Sequence, residues 1–434
     1  MTERSKDRLL ESARDYFRHT HPETAFVPGS TPILSSSAVL DADDCGALVE
    51  AALEMRIASG RSARRFEREL ARTVGVRKAL AVNSGSSANL LAVSALTSPR
   101  LEDARLRPGD EVITVAASFP TTVNPLLQNG LVPVFVDVEL GTYNTTPERV
   151  EAAVGPRTRA VILAHTLGNP FAAADIARIA DEHGLFLIED NCDALLSTHQ
   201  DRNTGTFGDL ATVSFYPAHH ITTGEGGCVL AREPALARIV ESLRDWGRDC
   251  WCDPGEDDRC RKRFSQQQGS LPWGYDHKYV FSHVGYNLKT SDVQAALGLT
   301  QLRKLTEFGA ARRRNWRRLR EGLDGLPGLL LPWATPESDP SWFGFAITVL
   351  PDAAFTRREL VAFLESRKIA TRQLFAGNLL RHPAYQDQRI RVHAELTNSD
   401  AITERSFWIG VHPGLSPEML DYVVASFKEF CAAR

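Results

Sequence analysis

Ser214-Phe215-Tyr216-Pro217-Ala218-His219-His220-Ile221-Thr222-Thr223-Gly224-Glu225-Gly226-Gly227 is the stretch on which the reading of this chain turns. Two adjacent histidines sit between an apolar run that ends at Ser214 and a glycine-rich turn. An imidazole with a reference pKa near 6.5 is a competent general base near neutral pH, but it cannot form the Schiff base that an amine would. The bland alternative is a core histidine beside an anion-binding loop. His219 and His220 are both candidate bases.

Outward from this stretch, residues 74–231 alternate short apolar runs with amphipathic segments. Ala79–Val82, Glu111–Val115, Val132–Val136, Ala160–Ala164 and Leu185–Ile188 read as buried parallel strands. Asn89–Leu96 and Asp175–His183 read as the helices between them. Repeated strand–helix units imply an α/β fold: an open, mostly parallel sheet with helices on both faces. Ligand sites in such sheets lie at the carboxyl ends of the strands. Residues 311–320 form an arginine-rich helical segment, read first as a solvated face and second as a docking face for an acidic redox partner. Beyond a Pro/Gly-rich stretch, Phe343–Leu350 reads as a strand, Thr356–Arg367 as a helix, and residues 401–434 as further helix.

The chain has 434 residues, 43% hydrophobic and 24% charged, enough for a large and a small domain. Its net charge of −4 gives no reason to expect nucleic-acid or bulk membrane binding. The charged N-terminus is unlike a secretory signal, and no apolar run approaches a membrane span, so a cytoplasmic protein is expected. Seven cysteines in a reducing compartment are not a disulfide framework.

Asn83-Ser84-Gly85-Ser86-Ser87-Ala88-Asn89 lies between a strand and a helix. Its small residues and free N–H groups make Gly85 and Ser86 phosphate candidates. Asp190 ends another strand, where a carboxylate can pair with a pyridine nitrogen; the plainer role is a helix cap. Cys192, Cys250, Cys252 and Cys260 are spaced C-x57-C-x1-C-x7-C. Four thiolates suit a 2Fe-2S cluster, with structural zinc as the rival, although zinc ligands usually come as C-x2–4-C pairs.

Taken in order, Asn83–Asn89, Ser118–Thr122, Pro133–Val138, Glu189-Asp190, Ser214–Gly227 and Gly285-Tyr286-Asn287-Leu288-Lys289 resemble the DegT/DnrJ/EryC1/StrS sugar aminotransferases, fold-type-I PLP enzymes. The resemblance implies an N-terminal segment (1–40), a large cofactor-binding domain (41–310) and a small α+β C-terminal domain (311–434). It also implies a homodimer with its active site at the subunit interface. Asp190 would pair with the pyridine nitrogen, and Phe119 would stack on the ring. Gly85, Ser86 and Ser214 would bind the phosphate, which Asn287 would reach from the partner subunit. Asp193 stands where the family usually has Gln or His; a carboxylate there can instead orient His219.

His219 occupies the place of the family's cofactor lysine, so the cofactor would be held without a covalent tether, as pyridoxamine 5′-phosphate (PMP). With the four cysteines and Asp245–Cys252, this resembles the nucleotide-sugar 3-dehydratase branch that uses PMP and a 2Fe-2S cluster. These enzymes act on CDP-4-keto-6-deoxyglucose or, in actinomycete pathways such as that of spinosyn, on dTDP-4-keto-2,6-dideoxyglucose. The expected course is a ketimine at the sugar C4, proton removal from the cofactor C4′ by His219, and loss of the C3 hydroxyl. Single electrons from a flavin reductase, ferredoxin or flavodoxin would finish it. The alternatives are a cluster-free dehydratase or aminotransferase of the colitose-pathway type, and a non-catalytic paralogue.

Overall fold

Seven strands carry the site: β1 (Lys78–Val82), β2 (Glu111–Val115), β3 (Val132–Val136), β4 (Thr158–Ala164), β5 (Phe186–Asp190), β6 (Leu210–Ser214) and β7 (Gly227–Ala231). Their near-continuous apolar composition follows from burial on both faces. The structure is a computed structural model that describes residues 3–434 apart from 23–24, 56 and 253–255. The order across the sheet is β1-β7-β6-β5-β4-β2-β3, with a two-residue strand at Arg391–Val392 beyond β3. All neighbouring pairs are parallel except those of β7, which runs antiparallel to both β1 and β6. This is the open, mostly parallel sheet implied by the strand–helix alternation, and its carboxyl edge gathers Asn83, Asp190 and Ser214.

Two helix starts shape that edge. Helix Gly85–Leu96 is capped by Ser84, whose Oγ accepts from the Ser87 amide, and its first residues are small enough for the chain to turn tightly out of β1. Helix Pro120–Gln128 begins with proline at its first position, where the missing N–H costs nothing, and this leaves Phe119 as the residue flanking the helix start.

A second, antiparallel sheet is built on β8 (Gly344–Val349) and β9 (Ser406–Gly410), flanked by Leu329–Leu330 and Thr371–Arg372. Leu319, Leu323, Phe345, Ile347, Phe407, Ile409, Leu420 and Phe427 share its core with helices Asp292–Leu323, Arg357–Ser366 and Pro417–Ala432.

Two expectations need correction. Residues 401–434 are not continuous helix, because Ser406–Gly410 is a strand whose Phe407 and Ile409 lie opposite Ile347 and Phe345. Pairing with β8 overrides the helical pattern on either side. The segment 311–320 belongs to one 32-residue helix and is not simply a solvated face. Arg313, Arg318 and Arg320 pair with Asp339, Asp421 and Asp324 at the surface, but Arg312 is 1% exposed. Among the described residues no helix is long and apolar enough to cross a membrane.

Candidate active site

Asp190 is the best-held side chain at the carboxyl edge. Its Oδ2 accepts from Asn89 Nδ2 at 2.8 Å and from Thr122 Oγ1 at 2.7 Å; its Oδ1 accepts from the Cys192 amide at 3.2 Å. Thr212 Oγ1 donates to Asn89 Oδ1 at 2.6 Å and so fixes the amide that fixes the acid. These donors come from helix Gly85–Leu96, helix Pro120–Gln128, the segment after β5, and β6. A carboxylate with this many donors is oriented and ready to accept from a pyridinium N–H. The helix-cap alternative fails, because no helix starts at Asp190. Beside it, Glu189 is fully buried; burial pushes its pKa up, but the His165 contact and the Gly205 and Gly208 amides outweigh that and leave it lowered. That pair anchors the chain between β5 and β6.

The turn from β1 into helix Gly85–Leu96 is packed to the limit. A Cβ on Gly85 would lie 2.6 Å from Ser214 Cβ and 3.2 Å from Cys192 Sγ, and one on Gly227 would lie 2.4 Å from the Ser84 backbone. Only glycine lets the start of helix Gly85–Leu96 settle beside Ser214, whose Oγ accepts from the Tyr216 amide at 3.3 Å. Ser86 follows Gly85 in the first turn of that helix. This arrangement suits an anion beside the helix N-terminus.

His219 lies within reach of the same site. Its Nδ1 is 3.3 Å from Asp193 Oδ1, and its ring packs at 5.2 Å against Phe343. His219 Nδ1 and Asp193 Oδ2 are buried and have no hydrogen-bond partner, so the pair keeps polar capacity for a ligand. Its backbone carbonyl accepts from the buried guanidinium of Arg312 at 3.1 Å. Arg312 also donates to the carbonyls of Trp342 and Phe343. Burial pulls its pKa down to about 10, opposed by the charge of Asp193, so it remains charged at neutral pH. His220 differs: its Nε2 is 2.6 Å from the Ser341 carbonyl, and burial drives its pKa well below the ordinary value. Burial thus favours its neutral form, and its Nε2 is taken up by the backbone.

Phe119 is half exposed, its ring meeting Phe375 edge-on at 6.5 Å. Asn287 lies at the outer side of β1, where Asn83 N–H donates to the Leu288 carbonyl, and its Oδ1 accepts from Lys289. The fixed acid, the glycine-lined helix start and the unpartnered Asp193–His219 pair together fit a phosphorylated pyridine. No lysine occupies the His219 position to tether it.

The cysteines divide. Cys250, Cys252 and Cys260 line one pocket with His277, whose Nδ1 lies 3.4 Å from Cys260 Sγ and whose Nε2 lies 2.7 Å from Asp249. Burial, with Cys252 and Cys260 nearby, pushes the Cys250 thiol up. Cys192 does not line that pocket. It sits beside Gly85, its thiol raised well above the usual value by burial and by Asp190. Among the described residues no three His, Cys, Asp or Glu side chains stand close enough to hold a metal ion. Three of the four expected ligands line one pocket and the fourth lies against Gly85, so the four cysteines do not form a metal site as they stand.

Thr122, Asn89 and Thr212 were inside or near quoted motifs, yet nothing in the sequence marks them as partners of Asp190. Arg312 was concealed by its arginine-rich surroundings.

The pattern of the DegT/DnrJ/EryC1/StrS aminotransferase family matches residues 39–428. A dTDP-4-dehydro-2,6-dideoxy-D-glucose 3-dehydratase of Saccharopolyspora spinosa is 70% identical over 428 residues, 99% of this chain and 92% of its own length. The lipopolysaccharide biosynthesis protein RfbH of Salmonella typhimurium is 52% identical over 426 residues, 98% of each chain. The solved structure of E. coli GDP-4-keto-6-deoxy-D-mannose-3-dehydratase with bound hydrated PLP is similar with a TM-score of 0.82 at 29% identity, covering 91% of this chain and 99% of that one.

Proposed function

The chain belongs to the DegT/DnrJ/EryC1/StrS aminotransferase family, and on that premise we propose that it removes the C3 hydroxyl of a nucleotide-linked 4-keto-6-deoxyhexose, with dTDP-4-keto-2,6-dideoxyglucose as the substrate. The observation that carries this reading is an imidazole, His219, standing with Asp193 beside the Asp190 cradle where the family's lysine would be. When bound, PMP supplies the amine that joins the sugar's C4 ketone and a ring that takes up an electron pair.

The protein's part is positional and proton-handling. Gly85, Ser86 and Ser214 hold the phosphate, and Asn287 reaches that of a partner subunit. Asp190 would keep the pyridine nitrogen protonated, and Phe119 would pack against the ring. With the cofactor bound, His219 would be the group to take the proton at its C4′ carbon, and Asp193 Oδ1, 3.3 Å from His219 Nδ1, would hold the imidazole in place. Proton transfer by a positioned base contributes roughly 10²–10⁴-fold. We assign Cys192, Cys250, Cys252 and Cys260 to a 2Fe-2S cluster, which when bound supplies electrons one at a time. Replacing the C3 hydroxyl by hydrogen consumes two electrons and two protons and releases water. An external flavin reductase, ferredoxin or flavodoxin provides the electrons, and the working enzyme is a cytoplasmic homodimer.

The test is turnover of dTDP-4-keto-2,6-dideoxyglucose by anaerobically reconstituted enzyme with PMP and a one-electron reductase, followed by mass spectrometry. Net loss of one sugar oxygen is expected only with the reductant present. His219→Gln should keep PMP absorbance but lose turnover. Turnover with glutamate and no reductant would overturn the redox half in favour of a cluster-free dehydratase.

A further inference from the structure

We propose that Phe375, reaching in from the second sheet, is the positioning residue that sets the ring of Phe119 for packing on the cofactor. This rests on the placement of PMP beside Asp190 and adds what holds the aromatic side of that site.

The backbone of Phe119 is tied to the Asp190 cradle. Its carbonyl accepts from the Thr122 amide at 3.1 Å, and Thr122 Oγ1 in turn donates to Asp190. The ring is less constrained. Phe119 flanks the start of helix Pro120–Gln128 without capping it, and it is 49% exposed. An aromatic side chain this open moves between staggered rotamers unless a neighbour restricts it. The Phe375 ring is such a neighbour. Its centroid lies 6.5 Å away with 64° between the planes, the edge-to-face arrangement that aromatic pairs favour.

Phe375 occupies a backbone conformation that its own side chain disfavours. Its φ is +46°, in the left-handed region where a bulky residue is an outlier. Such strain persists only where the surroundings over-determine it, and here they do so from two sides. Toward the second sheet, Trp408 Nε1 donates to the Gln373 carbonyl at 2.9 Å and the Asn378 amide donates to Thr403 Oγ1 at 2.7 Å. A Cβ on Gly377 would lie 2.5 Å from that same hydroxyl, so the turn is already at its closest approach. Toward the parallel sheet, the Ala376 amide donates to the Ser118 carbonyl at 3.2 Å and the Leu379 amide to the Ala116 carbonyl at 3.0 Å. These two bonds fasten the Phe375 turn onto the segment that delivers Phe119.

Core packing does not account for the strain. Phe375 is only partly buried, whereas Leu374 and Leu379 on either side are 1% and 0% exposed. Glycine would adopt this φ without penalty, as Gly377 does two residues later at +64°. What phenylalanine adds over glycine is a ring, and that ring meets Phe119.

Phe375→Leu keeps an apolar side chain on the same backbone but removes the ring. It should weaken PMP binding, titrated by fluorescence in the absence of sugar, by about twofold to tenfold. It should also change the circular dichroism induced in the bound PMP, which reports how the cofactor ring is held. Phe375→Tyr keeps the ring and should preserve both. In a Phe119→Leu background, Phe375→Leu should cost no further affinity, because its effect passes through Phe119. Equal losses in the two backgrounds would overturn the proposal. So would unchanged affinity and dichroism beside a lowered Tm, which would make Phe375 a structural prop. Wild-type protein that binds no PMP would overturn the placement of the cofactor itself, a result distinct from either. The Tm of each variant without cofactor verifies that it folds.

Discussion

At the scale of single residues, the site separates two neighbouring imidazoles by what they touch. His220 spends its Nε2 on a backbone carbonyl and is held neutral by burial, whereas His219 keeps a buried, unpartnered Nδ1 beside Asp193. Asp193→Asn keeps the shape but removes the charge that would stabilise an imidazolium 3.3 Å away. It is expected to lower kcat roughly tenfold or more with KM little changed, because the interaction strengthens as the base takes its proton. A rise in KM at constant kcat would place Asp193 in substrate binding instead. His412 gives a prediction in pH: its Nε2 is 3.1 Å from the Leu34 carbonyl, and burial, then Arg312, depress its pKa to about 4. The unfolded chain takes up a proton below about pH 6.5, which the folded chain refuses until about pH 4. Its stabilising contribution is therefore complete above pH 6.5 and is lost as pH falls through that window, on the order of 3 kcal/mol at most. The Tm of His412→Gln should fall less steeply than wild type between these two pH values; parallel curves would exclude the residue.

At the scale of elements, the phosphate turn depends on the start of one helix. In Gly85→Ala the new methyl would lie 2.6 Å from Ser214 Cβ, and neither the helix start nor β6 can retreat. Cofactor affinity should fall about tenfold or more as the amides move off the phosphate, a loss of about 1.4 kcal/mol per decade. Fluorescence titration with PMP measures it, and an unchanged Kd would remove the turn from the phosphate site. The elements at this edge were legible because strands buried on both faces are written as unbroken apolar runs, as in Val132–Val136. Ser406–Gly410 was not, since its identity comes from β8, some sixty residues earlier, and helical segments border it on both sides. The same reason hides the Asp190 cradle. Its donors at Asn89 and Thr122, and Thr212 behind Asn89, are ordinary polar residues until folding brings three segments to one carboxylate. The cysteine spacing is visible in the sequence, but that Cys250, Cys252 and Cys260 share a pocket with His277 while Cys192 lies against Gly85 depends on the fold.

At the scale of the whole molecule, Arg312 connects the two sheets. It rises from the long helix Asp292–Leu323 and binds the His219 carbonyl on one side and the Trp342 and Phe343 carbonyls, at the entry to β8, on the other. Its guanidinium also lies 5.8 Å from the Phe343 ring, which packs against His219. The proposed base is thus positioned from the second sheet, through a charge that, among the described residues, no carboxylate contacts directly. Burying such a charge is costly, and its Nε has no partner, so replacement by an apolar side chain of similar length need not destabilise the fold. Arg312→Met is expected to leave stability within about 2 kcal/mol of wild type. It should lower kcat by about tenfold to a hundredfold, since a displacement near 1 Å at a catalytic base is worth that much. Measured together, Tm and kcat discriminate between the roles. A collapse of Tm with normal kcat at low temperature would make Arg312 a structural clamp, whereas a preserved Tm with reduced kcat makes it the residue through which the second sheet holds His219 in place.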